Sequence, residues 1–290
     1  MLGPFPLAKS LYAPGVVRRL EELGYTERNG AILEYRSSDG HADRYTKLAR
    51  ELIELKCDVI FAIGTEPAAR SVQTAGSSIP LVFLAADYDP VERGIVTSLR
   101  KPDRNSTGLY LQQYSLIAKR IEILREALPA ARRLILFTDV FSRDQLPSAR
   151  TAAAAARFDL AVVEFTEQPY DFAGAVAGHK AQALMVLSSP MFSSNATLIA
   201  GLLAKHRLPS IGSSVRHAEG GFLFSLGVDP SKVGRRVADL GARILKGSKP
   251  ADIPVELADE FDLIINAKTA RALGVKVPES VLARATRIIT

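Results

Sequence analysis

The chain has 290 residues, of which 47% are hydrophobic and 23% are charged, so it is long enough for one large globular domain or two ordinary ones. Its net charge of +6 is modest, and lysines and arginines are spread along the chain, which disfavours a nucleic-acid-binding function. The longest apolar runs are too short to cross a membrane as helices. Cys57 is the only cysteine, which excludes an internal disulfide.

Short runs of apolar and β-branched residues alternate with amphipathic segments along the whole chain. In chain order the predicted strands are 31–35, 58–63, 81–85, 107–110, 133–138, 160–165, 183–187, 210–212, 222–225 and 261–265. The predicted helices include 45–55, 116–128, 195–206 and 233–245. Apolar strands joined by helices indicate an α/β protein with parallel sheets covered on both faces. All strand-to-helix loops are then expected at one edge, where ligands bind.

The two halves of the chain resemble each other in organisation. In the first half, DVIFAIGTEPAA leads to a helix and then to SSIPLVFLAAD, and in the second half ALMVLSSPMFSS leads to a helix and then to HRLPSIGSS. Each half has a strand, a turn of small or hydroxyl-bearing residues with a proline, a helix and a proline-led strand. We therefore expect two lobes of related topology that face each other across a cleft.

Three turn-rich stretches, 101–111, 220–230 and 248–261, suit crossovers between two lobes. Three crossovers mean that neither lobe is contiguous in sequence. We expect an N-terminal lobe formed by 1–107 plus 228–253 and a C-terminal lobe formed by 108–227 plus 254–290, with the ligand cleft between them.

Several segments carry a family resemblance: GTEPAARSV, IPLVFLAADYDPVERGIVTSL, NSTGLYL and ILKGSKPADIPVELADEFDLIINAKTARALGVKVPESVLARA. Together they resemble the ABC-transporter substrate-binding proteins of the tryptophan/tyrosine-binding type, from about Leu20 to the C-terminus. The resemblance implies the type I periplasmic binding protein fold, with two Rossmann-like lobes and three hinge crossovers. It also implies a small-molecule ligand in the cleft and an ABC permease in the membrane as partner.

The resemblance further implies a location in the periplasm, or a lipid anchor outside the cytoplasmic membrane, and we expect a monomer. Members of the family begin with a signal peptide followed by a strand. The opening residues MLGPFPLAKS have no signal-peptide features, and Met1–Gly3 would be only the tip of that strand. We expect the natural gene product to extend upstream with the rest of the strand and a secretion signal.

Candidate ligand residues of the N-terminal lobe follow predicted strands. Thr65 precedes a predicted helix, where its hydroxyl and the helix N–H groups could hold a carboxylate, or where it could only cap the helix. Glu66 lies in the same turn. Asp87 could accept hydrogen bonds from a ligand ammonium or hydroxyl. Phe5 and Tyr88 could supply apolar surface, and because related sequences usually have one residue fewer here, Tyr88 could protrude into the cleft.

The C-terminal lobe offers a matching set. Ser188 and Ser189 occupy the turn that corresponds to Thr65, and they have the same two interpretations. Arg216 could pair with a carboxylate through both guanidinium nitrogens, or could only form a surface ion pair with Glu219. The remaining candidates share a position in a loop or at a strand end: Thr138, Phe141, Phe192 and Ser213.

Other classes of function lack their motifs. The chain has no GxxxxGK[ST] phosphate loop, no glycine-rich dinucleotide turn, no GxSxG elbow and no HExxH pair. The four histidines are scattered, and cofactor-free two-lobed racemases use a pair of cysteines, whereas this chain has one. There is no room for an N-terminal helix-turn-helix. We therefore expect no enzyme, no catalytic residues, no cofactor, no metal and no nucleic-acid partner.

The sequence predicts the solute-binding component of an ABC importer that closes its lobes on a small carboxylate, either an amino acid, including an aromatic one, or an aromatic acid. Asp87 would take the ammonium, and Thr65, Ser188, Ser189 or Arg216 the carboxylate. The alternative is a ligand-sensing receptor domain of the same fold that signals through a partner protein. The neighbouring genes would discriminate between the two.

Overall fold

Alternating apolar strands and amphipathic helices fold into two α/β units in the computed structural model, which describes residues 1–102 and 104–290. The first unit consists of Met1–Gln112 and Pro230–Asp259, and the second of Gln113–Asp229 and Glu260–Thr290. Each unit has its own sheet and its own apolar core.

The strands, in chain order, are β1 (Leu2–Gly3), β2 (Arg36–Ser37), β3 (Ile60–Gly64), β4 (Leu81–Ala85), β5 (Ser106–Tyr110), β6 (Arg133–Asp139), β7 (Asp159–Phe165), β8 (Ala183–Val186), β9 (Ser210–Gly212), β10 (Phe224–Gly227), β11 (Glu256–Leu257), β12 (Asp262–Asn266) and β13 (Arg287–Ile289).

The α-helices are α1 (Ala13–Glu22), α2 (Tyr45–Glu54), α3 (Glu66–Thr74), α4 (Gln113–Ala127), α5 (Leu146–Ala155), α6 (Phe172–Ala177), α7 (Pro190–Ser194), α8 (Ala196–Lys205), α9 (Val215–Gly220), α10 (Pro230–Leu245), α11 (Ala267–Leu273) and α12 (Glu279–Leu282).

The sheet of the first unit has the strand order β11-β5-β4-β3-β1-β2, and its pairs are parallel. Every residue of β3 and β4 is buried, as expected for central strands covered on both faces. Helices α1 and α10 pack closely, because Gly15 and Gly234 face each other without side chains. This unit therefore depends on burial of its central strands and on one close helix crossing.

The sheet of the second unit has the order β13-β12-β10-β9-β8-β6-β7. Its pairs are parallel except that β10 runs antiparallel to β12. The expectation that all strand-to-helix loops lie at one edge is therefore wrong for β12, whose carboxyl end points to the opposite edge and leads into α11. The loops after β6, β7, β8, β9 and β10 do share one edge.

The predicted strand at 31–35 is wrong. Only Arg36–Ser37 pairs with β1, which is itself two residues long and offers no partner to the residues before Arg36. The exposed fractions of Ile32 and Leu33 are 84% and 42%, so the apolar run is not buried. A β-rich pattern at the edge of a sheet forms a strand only over the length of its neighbour.

The junctions between the units lie after Gln112, Asp229 and Asp259, a few residues later than the expected ones. Strand β5 continues to Tyr110, and β11 pairs with β5, which keeps 254–259 in the first unit. Asp103, within the expected crossover 101–111, lies outside the described residues. Nowhere in 1–102 or 104–290 is a helix long and apolar enough to span a membrane.

Replacing Gly234 with alanine should destabilise the first unit. The added Cβ would lie 2.8 Å from Gly15 Cα and 2.8 Å from the Tyr12 carbonyl oxygen, so α1 and α10 would have to separate. We expect a loss of about 1–3 kcal/mol in the free energy of unfolding, measured by urea denaturation.

The matched control is Gly201→Ala in α8, where the added Cβ would meet nothing within 4 Å. It should gain up to about 1 kcal/mol from helix propensity. An equal effect of both substitutions would contradict the close crossing.

Candidate functional site

Candidate residues of the first unit lie at the carboxyl edge of its sheet. Phe5, Thr65 and Asp87 follow β1, β3 and β4, which are neighbours in the sheet and run in the same direction. The structure therefore brings these three positions, distant in sequence, to one edge.

Thr65 occupies the N-cap position of α3 after Gly64, whose φ of 98° is a conformation that favours glycine. Among the described residues, its side chain accepts no hydrogen bond from α3. Instead its Oγ1 donates to the hydroxyl of Tyr45 at 3.0 Å. Capping by the Thr65 side chain is therefore wrong, and ligand contact through this hydroxyl stays a prediction.

Asp87 places a negative charge beside two phenols. It is 5% exposed, and its charge adds to burial in raising the pKa of Tyr45 and Tyr88. Burial is the larger cause, and the pKa of Tyr45 rises to about 12. Tyr45 therefore stays protonated at neutral pH, and the edge combines an acid with neutral hydroxyl groups.

Glu66 and Tyr88 have other contacts. Glu66 accepts a hydrogen bond from Arg70 Nε at 2.7 Å, an ion pair one turn apart on α3. Tyr88 is 2% exposed and packs in the apolar core of the first unit, so the expectation that it protrudes is wrong. Phe5 is half-buried, and its carbonyl accepts a hydrogen bond from the Tyr35 hydroxyl at 2.7 Å. The place of all three in a ligand site stays a prediction.

Candidate residues of the second unit meet around an acid that the sequence analysis did not single out. Asp139 ends β6 and is 0% exposed. One carboxylate oxygen accepts hydrogen bonds from the Phe141 N–H at 3.1 Å and from Ser142 Oγ at 2.8 Å. The other accepts from Ser189 Oγ and, at 3.4 Å, from the Tyr170 hydroxyl. Burial raises the pKa of Asp139, and the hydrogen bonds from Ser189 and Ser142 partly offset that rise.

Ser188 and Ser189 are held through different groups. Ser189 Oγ accepts the Met191 N–H at 3.1 Å and so caps α7, which confirms the capping interpretation for this residue. The side-chain amide of Gln145 forms two hydrogen bonds with the backbone of Ser188. It accepts one from the Ser188 N–H at 3.0 Å and donates one to the Ser188 carbonyl at 2.8 Å. Thr138 Oγ1 lies 3.2 Å from Ser142 Oγ in the neighbouring turn.

Phe192 belongs to a cluster of five aromatic side chains. Its ring is 0% exposed and lies within 6.3 Å, centroid to centroid, of the other members: Phe137, Phe165, Tyr170 and Phe172. The prediction that Phe192 supplies apolar surface to a ligand is therefore wrong, because its ring is part of the core. Phe141 is 8% exposed and stays a candidate.

Ser213 precedes a buried capping box at the start of α9, and Arg216 lies within it, between Ser214 and His217. Ser214 Oγ and N lie 3.0 and 3.2 Å from His217 Nδ1, and the imidazole is 0% exposed. Burial lowers the pKa of His217 to about 3, so the ring is neutral. Glu219, the surface partner predicted as the alternative for Arg216, pairs with Arg287 at 2.7 Å. Arg216 is half-buried.

Sequence reasoning missed Asp139, Tyr170 and Tyr45. Asp139 directly follows the predicted strand 133–138, but its partner Ser189 is close in the fold and 50 residues away in sequence. Tyr170 follows β7, and its side chain reaches Asp139 across the sheet edge from a loop in which no candidate residue is predicted. In the described part of the chain no three histidine, cysteine, aspartate or glutamate side chains are grouped as a metal ion would require.

The two mostly parallel sheets with loop-lined carboxyl edges define the class of protein. Solved structures with the same fold are periplasmic binding proteins of type I. The family model described as ABC transporter substrate binding protein matches residues 8–289, and the chain belongs to this family. The resemblance and the fold class predicted from the sequence are thereby confirmed.

Individual relatives and solved structures are similar to this chain over most of its length. A tyrosine-binding protein of Clostridioides difficile is 26% identical over 267 residues, which cover 90% of this chain and 76% of the relative. A conserved domain protein of Vibrio cholerae has a TM-score of 0.88 at 27% identity, with 99% and 97% of the chains covered. An ABC domain of Streptococcus pneumoniae in complex with L-Trp has a TM-score of 0.86 at 24% identity, with 99% of both chains covered.

Membership of the family defines the function in outline. Its proteins bind small-molecule ligands outside the cytoplasm and deliver them to a membrane permease. They are binding proteins and not enzymes, which supports a non-enzymatic role for this chain.

Replacing His217 with glutamine should make stability less dependent on pH. The folded-state pKa of His217, about 3, lies below the value of 6.5 for the free side chain. As pH falls below 6.5 the unfolded chain binds a proton that the folded chain does not, so the stability from this group is full above pH 6.5 and is lost towards pH 3. Glutamine preserves the capping box but does not titrate.

In urea unfolding, the slope of unfolding free energy against pH should fall by up to about 1.4 kcal/mol per pH unit in the His217→Gln variant. The exposed His206, replaced in the same way, is the control. Identical slopes in the wild type and His217→Gln would refute the buried neutral imidazole.

Proposed function

We propose that this protein is the solute-binding component of an ABC importer and that its ligand is an aromatic amino acid. The observation that carries the proposal is the buried acid of Asp87 beside the Tyr45 and Thr65 hydroxyls, at the carboxyl edge of the first sheet. The names of the relatives support the ligand class, since one is a tyrosine-binding protein and another was solved with L-Trp.

In this proposal the first unit binds the ammonium group. Asp87 supplies the negative charge, and a charge-assisted hydrogen bond from an ammonium to a carboxylate of low exposure is strong. Tyr45 stays protonated because burial raises its pKa, so its hydroxyl and that of Thr65 remain available as neutral polar groups. This combination suits an amino acid better than a simple carboxylic acid.

The second unit binds the ligand carboxylate. Arg216 is half-buried, and its planar guanidinium matches a carboxylate in two parallel hydrogen bonds. Ser188 lies next to it in sheet order, after β8, and adds a hydroxyl at the same edge. The protein acts as a monomer whose two units close on the ligand, in the periplasm or on a lipid anchor.

L-tyrosine and L-tryptophan should stabilise the purified protein against heat. At a concentration of 100 times Kd, a ligand that binds only the folded state adds about 2.7 kcal/mol, which a thermal-shift assay detects as a higher Tm. Glucose, galactose and aliphatic acids are the comparison ligands. Stabilisation by sugars alone would overturn the proposed ligand class.

The Asp87→Asn substitution should weaken binding of the same amino acids by about ten-fold or more, because a charge-assisted hydrogen bond to the ammonium is lost. Titration calorimetry measures the affinity. Asp89→Asn is the matched control in the same loop, since Asp89 Oδ1 accepts the N–H groups of Val91 and Glu92 and an amide oxygen can replace it. Undiminished affinity in Asp87→Asn would remove the proposed role of Asp87.

A further inference from the structure

Three loops of the second unit converge on one buried carboxylate. Asp139 receives the Phe141 N–H and Ser142 Oγ from the loop after β6, the Tyr170 hydroxyl from the loop after β7, and Ser189 Oγ from the loop after β8. Strand β6 lies between β7 and β8 in the sheet, so its last residue is within reach of both neighbouring loops. The convergence follows from the strand order.

The donors fill the acceptor capacity of the carboxylate. An ionised carboxylate has about four lone-pair sites, and four donors from these loops occupy them. Hydrogen bonds to an ionised acceptor are about twice as strong as those between neutral groups. Because Asp139 is 0% exposed, it does not itself offer a surface to a ligand, and it acts through the groups that it holds.

The groups that donate to Asp139 belong to candidate ligand residues or lie next to them in sequence. Ser189 Oγ donates to Asp139 while it accepts the Met191 N–H, which orients the start of α7 next to Ser188. The hydrogen bond from Phe141 N fixes the turn that carries the Phe141 side chain. Tyr170 stacks on Phe165 at a centroid distance of 4.9 Å, which joins Asp139 to the aromatic cluster below the loops.

We propose that Asp139 is a positioning residue: its carboxylate holds Ser142, Ser189 and Tyr170 and thereby fixes the three loops with which the second unit binds its ligand. The proposal rests on the proposed function, because fixed loops matter for affinity only if the ligand meets them.

The charged groups around Asp139 lie on the same three loops and on β7. Arg143, which follows Ser142, pairs with Glu164 of β7 at 2.5 Å, and their side chains are 56% and 37% exposed. Asp144, Glu167 and Asp171 are exposed residues of the flanking turns, and α7 has no charged residue. Tyr170 remains a neutral donor, since burial and then the charge of Asp139 raise its pKa.

The test uses Asp139→Asn, which preserves the side-chain volume and removes the charge. Hydrogen-exchange mass spectrometry without ligand should show at least about ten-fold faster exchange in 139–146, 166–173 and 188–195, while strand β6 stays protected. Calorimetry with L-tyrosine and L-tryptophan should show an affinity about ten-fold lower or weaker still. The Asp159→Asn variant, an exposed acid at the opposite end of β7, is the control and should match the wild type in both measurements.

A pH series separates positioning from general stability. Wild-type affinity should fall as the pH is lowered and the Asp139 carboxyl, whose pKa is raised by burial, takes up a proton and ceases to accept from all its donors. The Asp139→Asn variant should lack this component of the pH dependence. Tyr170→Phe is a second variant that removes one hydroxyl but preserves the aromatic packing. It should accelerate exchange in 166–173 alone.

Each outcome decides the proposal. Unchanged exchange in the three loops of Asp139→Asn would overturn the positioning role. Faster exchange with unchanged affinity would overturn the link between these loops and the ligand. If the wild type binds no aromatic amino acid, the proposed function fails, and the exchange measurements still decide whether Asp139 fixes the loops. If Asp139→Asn does not fold, the exchange pattern of Tyr170→Phe decides the same question.

Discussion

The parallel alignment of the central strands is the constraint on which the candidate sites of both units depend. In the first unit β1, β3 and β4 run in one direction, and in the second unit β6, β8 and β9 do the same. Loops that are distant in sequence therefore meet at one edge of each sheet. Burial of β3, β4 and β8 over their whole length holds this alignment, because such strands gain stability only when both faces are covered.

Burial at these edges also determines the ionisation of the groups that they carry. The pKa values of Tyr45 and Asp139 are raised, and that of His217 is lowered, in each case chiefly by removal from water. Burial thus favours the neutral form of every one of them. Hydrogen bonds from neighbouring hydroxyls act in the opposite direction for both Asp139 and Tyr45, because they favour the charged form. In the second unit the acid, Asp139, is hydrogen-bonded within the loops. In the first unit the acid, Asp87, lies beside neutral phenols.

Periodicity was sufficient to predict the α/β class, because each central strand is a short apolar run between helices with one apolar face. The type I binding-protein fold was implied by the family resemblance. It failed at 31–35, where the pattern is β-rich but the neighbouring strand has two residues. The antiparallel direction of β12 could not be predicted either, because the residue pattern of a strand does not depend on whether its neighbour runs parallel or antiparallel. The acid at Asp139 was missed because its partners Tyr170 and Ser189 lie 31 and 50 residues away. Single-residue patterns predict where loops lie, but the hydrogen bonds between loops depend on strand order.

The turn FAIGTEPAA and its counterpart MVLSSPMFSS illustrate that limit. Both place a hydroxyl at the N-cap of a helix, and the sequence offers the same two interpretations for each. In the structure Ser189 caps α7 and donates to a buried acid, whereas Thr65 leaves α3 uncapped and donates to Tyr45. The two hydroxyls also differ in the group that accepts their hydrogen bond, which is a carboxylate for Ser189 and a phenol for Thr65. Equivalent positions in two related units thus acquire different chemistry from their neighbours.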